Sequence, residues 1–152
     1  MNIELTNPTL FRTEAFVNGE WIGADNGARL PVTNPATGAL ITDVAKTGAA
    51  ETRRAIAAAE TAMLSWRQQP AKQRAQVMRR WFDLIMANQE DLARIMTLEQ
   101  GKTLAESRGE VAYGASYIEW FAEQAKRIDG DVIPAPSGDK RIICIKQPVG
   151  VC

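Results

Sequence analysis

The chain has 152 residues, 45% of them hydrophobic, with 18 Lys plus Arg set against 18 Asp plus Glu. That is one domain's length with apolar material for a core, and the zero net charge excludes a global field drawing nucleic acid or an acidic membrane. The absence of histidine removes the usual neutral-pH base, with it any histidine-based metal site or triad, and two cysteines do not make a disulfide framework.

In chain order, the N-terminal stretch MNIELTNPTLFRTEAF lacks the basic and apolar blocks of a signal peptide. No apolar run approaches membrane-spanning length. With only two cysteines and no disulfide framework, a reducing cytoplasm is the expected compartment. In AFVNGEWI, Asn18-Gly19 between apolar segments signals a hairpin, and NPATG (34–38) signals a second turn. Strands are expected near 14–17, 20–23, 29–33 and 40–45.

The middle reads as helix. Ile56, Ala59, Met63 and Trp66 recur at helical spacing in an alanine-rich stretch that Pro70 ends or restarts. The next helix carries Val77, Met78, Trp81, Leu84 and Ile85 on one face. Asn88 followed by Glu90 and Asp91 reads as a new N-cap, and Gly101 as a C-cap after Leu92, Ile95 and Met96. Thr103 and Glu106 form a capping box, and a long helix is expected to run to about Ile128. Its buried stripe is expected to include Val111, Ala115, Ile118 and Ala122. Beyond Gly130, DVIPAP and KRIICIK read as strands around a turn at 137–139, and VGVC as the start of another buried strand. The fold class is therefore α+β.

Each candidate for chemistry has an ordinary structural explanation. Cys144 lies in an apolar run, where a buried thiol behaves as a small hydrophobe, and nothing nearby supplies a base for Cys152. Glu99, Glu106, Glu110, Glu119 and Glu123 read as solvated helix acids, with Glu106 as the capping acid. Arg53-Arg54 and Arg79-Arg80 diverge around their helices and read as solvated surface. Neither GADNGARL nor PVGVC matches a phosphate-binding loop. Tyr113, Tyr117, Trp120 and Phe121 recur at spacings of three and four along one helix side. Core packing is the ordinary reading of that stripe, and the wall of an apolar pocket is the sharper one.

Several stretches together resemble the N-terminal part of the aldehyde dehydrogenase superfamily. They are FVNGEW (16–21), VTNPATG (32–38), WRQQPAKQRAQVMRRWFDLI (66–85), DLARIMTLEQGKTLAESRGEV (91–111) and IKQPVGVC (145–152). Within it, LFR (10–12), TLEQGK (97–102), YIEWFAEQAKRIDGDVIP (117–134) and DKRIICIKQPVGV (139–151) look most like bacterial succinate-semialdehyde dehydrogenases. Thr103, Asp129, Cys144 and Cys152 depart from the residues common there.

The resemblance implies a partial fold that stops at the start of a Rossmann-like cofactor sheet. Residues 1–46 would be N-terminal strands and turns, and 47–129 the helical part. Residues 130–148 would be oligomerisation strands through which copies associate, and 149–152 the start of the first cofactor-sheet strand, cut short. It implies NAD or NADP and a small aldehyde, succinate semialdehyde, for the full-length enzyme, with none of the cofactor binding this chain alone. No catalytic, cofactor-binding or metal residue is carried over, because the family's nucleophilic cysteine and general-base glutamate belong to motifs absent here. Tyr113 and Tyr117 are carried over as substrate-funnel wall. The chain alone is expected to be inactive, and the alternative is a stand-alone interaction module.

Overall fold

Among the described residues a short 3₁₀ turn at Pro8–Leu10 is followed by four strands, four helices and two further strands. The structure, a computed structural model, describes residues 4–152. β1 (Ala15–Val17) and β2 (Glu20–Ile22) pair antiparallel around Asn18 and Gly19, whose φ angles of 52° and 87° are those of a tight two-residue hairpin turn. β3 (Arg29–Thr33) and β4 (Leu40–Ala45) form the second hairpin, with an irregularity between Val32 and Thr33. Its turn is held by Asn34, whose Oδ1 accepts from the Ala36 N–H at 2.9 Å and whose carbonyl accepts from the Gly38 N–H at 2.8 Å.

The helices are α1 (Ala49–Trp66), α2 (Ala71–Ala87), α3 (Gln89–Gln100) and α4 (Leu104–Gln124). Glu51 starts α1: its Oε2 accepts from the Gly48 N–H at 3.0 Å and its Oε1 from the Asp25 N–H at 2.8 Å. One buried carboxylate thus ties the helix start to the loop before β3. Pro70 is the N-cap of α2. Asn88 stands between α2 and α3, yet its Nδ2 donates back to the Leu84 carbonyl at 2.8 Å, so it closes α2 and does not cap α3 with its side chain. Gly101 ends α3 with φ 74°, and a Cβ there would lie 2.9 Å from Pro35 Cγ. Thr103 Oγ1 accepts from the Glu106 N–H, and Glu106 Oε2 from the Thr103 N–H, so the capping box forms.

α4 packs across α2 and α3, and its buried face is Ser107, Val111, Ala115 and Ala122. Small side chains on this face let the helix axes approach, and Ala75 of α2 and Ala93 of α3 complete the core. Ile118, expected in the stripe, is only half-buried. Thr97 and Ser107 share a hydroxyl hydrogen bond of 2.8 Å across the α3–α4 seam. Arg79 of α2 holds Glu119 of α4 at 2.7 Å. α1 lies against β1.

The N-terminal segment is a strap pinned on α3. The buried Asp91 carboxylate accepts the N–H of Thr6 at 3.0 Å and of Asn7 at 2.7 Å, while Arg94 donates to the Glu4 carbonyl at 2.6 Å.

α4 ends at Gln124 and not near Ile128, because the following bonds, Lys126 N–H to Glu123 and Arg127 N–H to Gln124, span three residues and tighten the last turn. β5 (Asp131–Ile133) and β6 (Ile142–Cys144) pair as a hairpin with no layer of described residues against either face. Cys144 is therefore exposed rather than buried, along with Val132 and Ile143. VGVC makes no strand, and Val149 is 93% exposed. Finally, the apolar faces read from α1 and α2 are open in part: Ile56, Trp66, Val77, Trp81 and Leu84 are exposed, whereas Met63, Met78 and Ile85 are half-buried.

Candidate functional site

The aromatic stripe of α4 lies outside the core. Tyr113, Tyr117, Trp120 and Phe121 are all at least half exposed, against the ordinary expectation that large rings pack inside. The reason is that Val111, Ala115 and Ala122 already occupy the face turned to α2 and α3. Helical geometry sends the residues between them outward. The rings border an open groove of about 730 Å³, with Ser116, Glu119 and Glu123 supplying its polar atoms.

Within the groove the two phenols meet, with Oη atoms 2.5 Å apart and rings edge to face at a centroid distance of 5.1 Å and 86°. That hydrogen bond, with partial desolvation, raises the Tyr117 pKa above its ordinary value. Glu119 pairs with Arg79, which also holds Asp83, and Glu123 pairs with Lys126 at 3.3 Å. The groove thus offers an aromatic wall with two phenol hydroxyls, suited to holding an apolar chain with a polar group. It contains no nucleophile paired with a base.

The other sequence candidates resolve into structural roles. Glu106 is the capping acid, Glu110 pairs with Lys102, and Glu99 is exposed. Arg54, at the solvated surface as expected, makes a two-pronged pair with Asp25 at 2.7 Å on each prong. That pairing lowers the Asp25 pKa and raises that of Arg54. Cys144 sits on the open hairpin, and Cys152 Sγ has only the Gly150 carbonyl at 3.9 Å. Among the described residues, no group of three or more Cys, Asp or Glu is placed to hold a metal ion. No helix among them is long and apolar enough to cross a membrane. Sequence reasoning gave Asp91 and Glu51 no tertiary role, since their partners are backbone N–H groups that carry no residue signature.

The pattern described for the aldehyde dehydrogenase family matches residues 21–152. A glutarate-semialdehyde dehydrogenase of Pseudomonas putida is 60% identical over 98% of this chain, which spans 31% of that protein. The succinate-semialdehyde dehydrogenase [NADP(+)] of Escherichia coli is 56% identical over the same shares. The crystal structure of a succinate-semialdehyde dehydrogenase from Burkholderia pseudomallei superposes with a TM-score of 0.95 at 54% identity, covering 97% of this chain and 31% of that one. The chain therefore spans about a third of the length of these relatives, and it belongs to the aldehyde dehydrogenase family.

Proposed function

We propose that these residues form the N-terminal part of an NAD(P)-dependent dehydrogenase that oxidises a short ω-carboxylated aldehyde, succinate semialdehyde foremost, to the dicarboxylate in the cytoplasm. The observation that carries this reading is the identity of 50–60% to bacterial dehydrogenases named for glutarate semialdehyde, succinate semialdehyde and 3-sulfolactaldehyde. All of these substrates are short aldehydes bearing an anionic end. In this reading residues 1–46, 47–129 and 130–148 are strand, helical and oligomerisation segments, and 149–152 lead into a cofactor sheet.

This chain alone is not expected to hold the dinucleotide, and three of its four helix starts disfavour a pyrophosphate. α1, α3 and α4 each carry carboxylates in the first turn, from Glu51, Glu90 with Asp91, and Glu106. These meet the charge of a pyrophosphate with the same sign. No chemical step is assigned to any side chain of this chain, which alone should not reduce NAD or NADP with succinate semialdehyde. Tyr113 and Tyr117 serve as funnel wall in this proposal.

The test is the intact mass of the protein from its native cell, followed by steady-state kinetics of that species on succinate and glutarate semialdehydes. A mass several times that of the 152 residues, with turnover of either aldehyde, supports the reading; a native mass equal to this chain, or a long product inert toward both, overturns it. In an active long product, Tyr113→Ala and Tyr117→Ala should raise KM by about three- to tenfold with smaller effects on kcat. Unchanged KM in both variants removes the tyrosines from the substrate path.

A second reading, an interaction module acting through its strand edges, is favoured by the β5–β6 hairpin, whose residues are exposed throughout. Open edges and exposed Val132, Ile143 and Ile145 are suited to pairing with another copy. Sedimentation of Val132→Lys and Ile143→Lys against the parent tests this, and an unchanged oligomer distribution counts against it.

A further inference from the structure

We infer that a second concavity, where the ends of three helices meet the C-terminal tail, binds a small organic anion. It has a volume of about 640 Å³ and is lined by residues of the α1 end, the α2 start, the turn after α4 and the tail. Three of them, Arg67, Arg74 and Lys146, are cationic, and none of its lining residues is acidic. These three come from separate segments, so their convergence is a product of folding. The chain as a whole has no net charge, which makes this concentration local.

What distinguishes the three is that, among the described residues, they are free of carboxylates and share one concavity, whereas Arg53, Lys72, Arg80 and Arg127, also without a carboxylate, do not line it. Arg54, Arg79, Arg94, Lys102, Arg108 and Lys126 each hold a carboxylate. Arg67, Arg74 and Lys146 hold none among the described residues. Arg74 is also fixed in place: its Nη1 donates to the Gln69 carbonyl at 2.9 Å and to the Arg67 carbonyl at 3.4 Å. A guanidinium anchored by one nitrogen keeps its other N–H groups available in a set geometry. Arg67 and Lys146 are exposed and can close on a ligand.

The rest of the lining is apolar, with Trp66, Ile128 and Pro148 prominent. Unpaired cations beside an indole and aliphatic groups select an anion carrying an apolar or planar body, such as an aryl phosphate or aryl carboxylate, over a bare inorganic ion. The site lies away from the tyrosine groove, shares no lining residue with it, and does not rest on the dehydrogenase reading.

The experiment is isothermal titration of the protein with phenyl phosphate, inorganic phosphate and phenol, on the parent and two double variants. The pocket variant is Arg67→Gln with Lys146→Gln; the control, Arg53→Gln with Arg80→Gln, removes the same charge from exposed positions that line neither concavity. Phenyl phosphate should bind more tightly than inorganic phosphate, and phenol not at all. The pocket variant should weaken phenyl phosphate by about tenfold, the loss of charge-assisted hydrogen bonds, while the control stays within about twofold. Matching circular dichroism spectra show that both variants are folded. Equal weakening in the two variants, no preference for the aryl ester, or no binding of phenyl phosphate to the parent overturns the inference.

Discussion

Asp91 is 3% exposed and holds two backbone N–H groups from a segment more than eighty residues away in sequence. Asp91→Asn keeps one acceptor oxygen but turns an NH₂ toward the second donor. The expected loss is about 1.5–3 kcal/mol in urea unfolding, with earlier proteolytic cleavage of the strap, since a buried donor would face another donor. Glu90 shows electrostatics at the surface. Arg108 grips both its oxygens and Arg94 adds a third contact, holding its pKa down to about 2 from an ordinary 4.5. A depressed folded-state pKa contributes stability above the ordinary value and loses it as pH falls from about 4.5 toward about 2. The pair is nearly half exposed, so solvent and salt keep the effect small. The urea midpoint should fall more for the parent than for Glu90→Gln between about pH 6 and about pH 3, and parallel curves would remove Glu90 from the acid response. The two tyrosines are the only ones in the chain, so a spectrophotometric titration reads this pair alone. Tyr117 should ionise above its ordinary value of 10.0, and Tyr113→Phe, which removes the hydrogen-bond partner, should bring it back down.

At the scale of elements, local chemistry wrote the boundaries. Asn18-Gly19 makes its hairpin because both positions take positive φ, and Thr103 with Glu106 forms a box whose two bonds close within four residues. Gly101 is set by two constraints together, a left-handed φ of 74° and the ring of Pro35 against its open side. Gly101→Ala should therefore lower stability by about 1–2 kcal/mol from backbone strain alone. It should also loosen the 34–38 turn, seen as faster amide exchange at Gly38. The inward side of α4 was legible in its aliphatic spacing, since Val111, Ala115 and Ala122 are buried as expected and only Ile118 is half out. What was not legible is the fate of the aromatic stripe, for which volume favoured burial as well. Close approach of three helices left room for small side chains alone, and the rings stay outside to form the candidate groove. Asn88 shows the same limit in miniature, since an asparagine between two helices can serve the end of one or the start of the next, and here it serves the end.

Across the whole molecule, apolar surface is left uncovered on the outer side of α2, the aromatic side of α4 and both faces of the β5–β6 hairpin. Trp81, Leu84, Trp120, Phe121, Ile143 and Ile145 are all more than half exposed. Exposed apolar surface of this kind drives association. The isolated chain is expected to bind an apolar-surface dye and to sediment faster as concentration rises, with its helical circular dichroism retained. A monodisperse monomer that ignores the dye would contradict this. The buried or exposed fate of Cys144 belongs to the same scale: its neighbours in sequence specified a strand, but only a covering layer, absent among the described residues, would bury it.

The strap on α3 carries one consequence for how the chain is made. Its anchoring carboxylate lies 84 and 85 residues downstream of the amides it binds. At ribosomal speeds of roughly 5–20 residues per second, that separation is about 4–17 s of synthesis. The first hairpin pairs over a two-residue turn and can close as soon as it emerges. Through that interval Thr6 and Asn7 are without their partner, so they are made well before they are secured, and a chaperone or a protease meets them before Asp91 does.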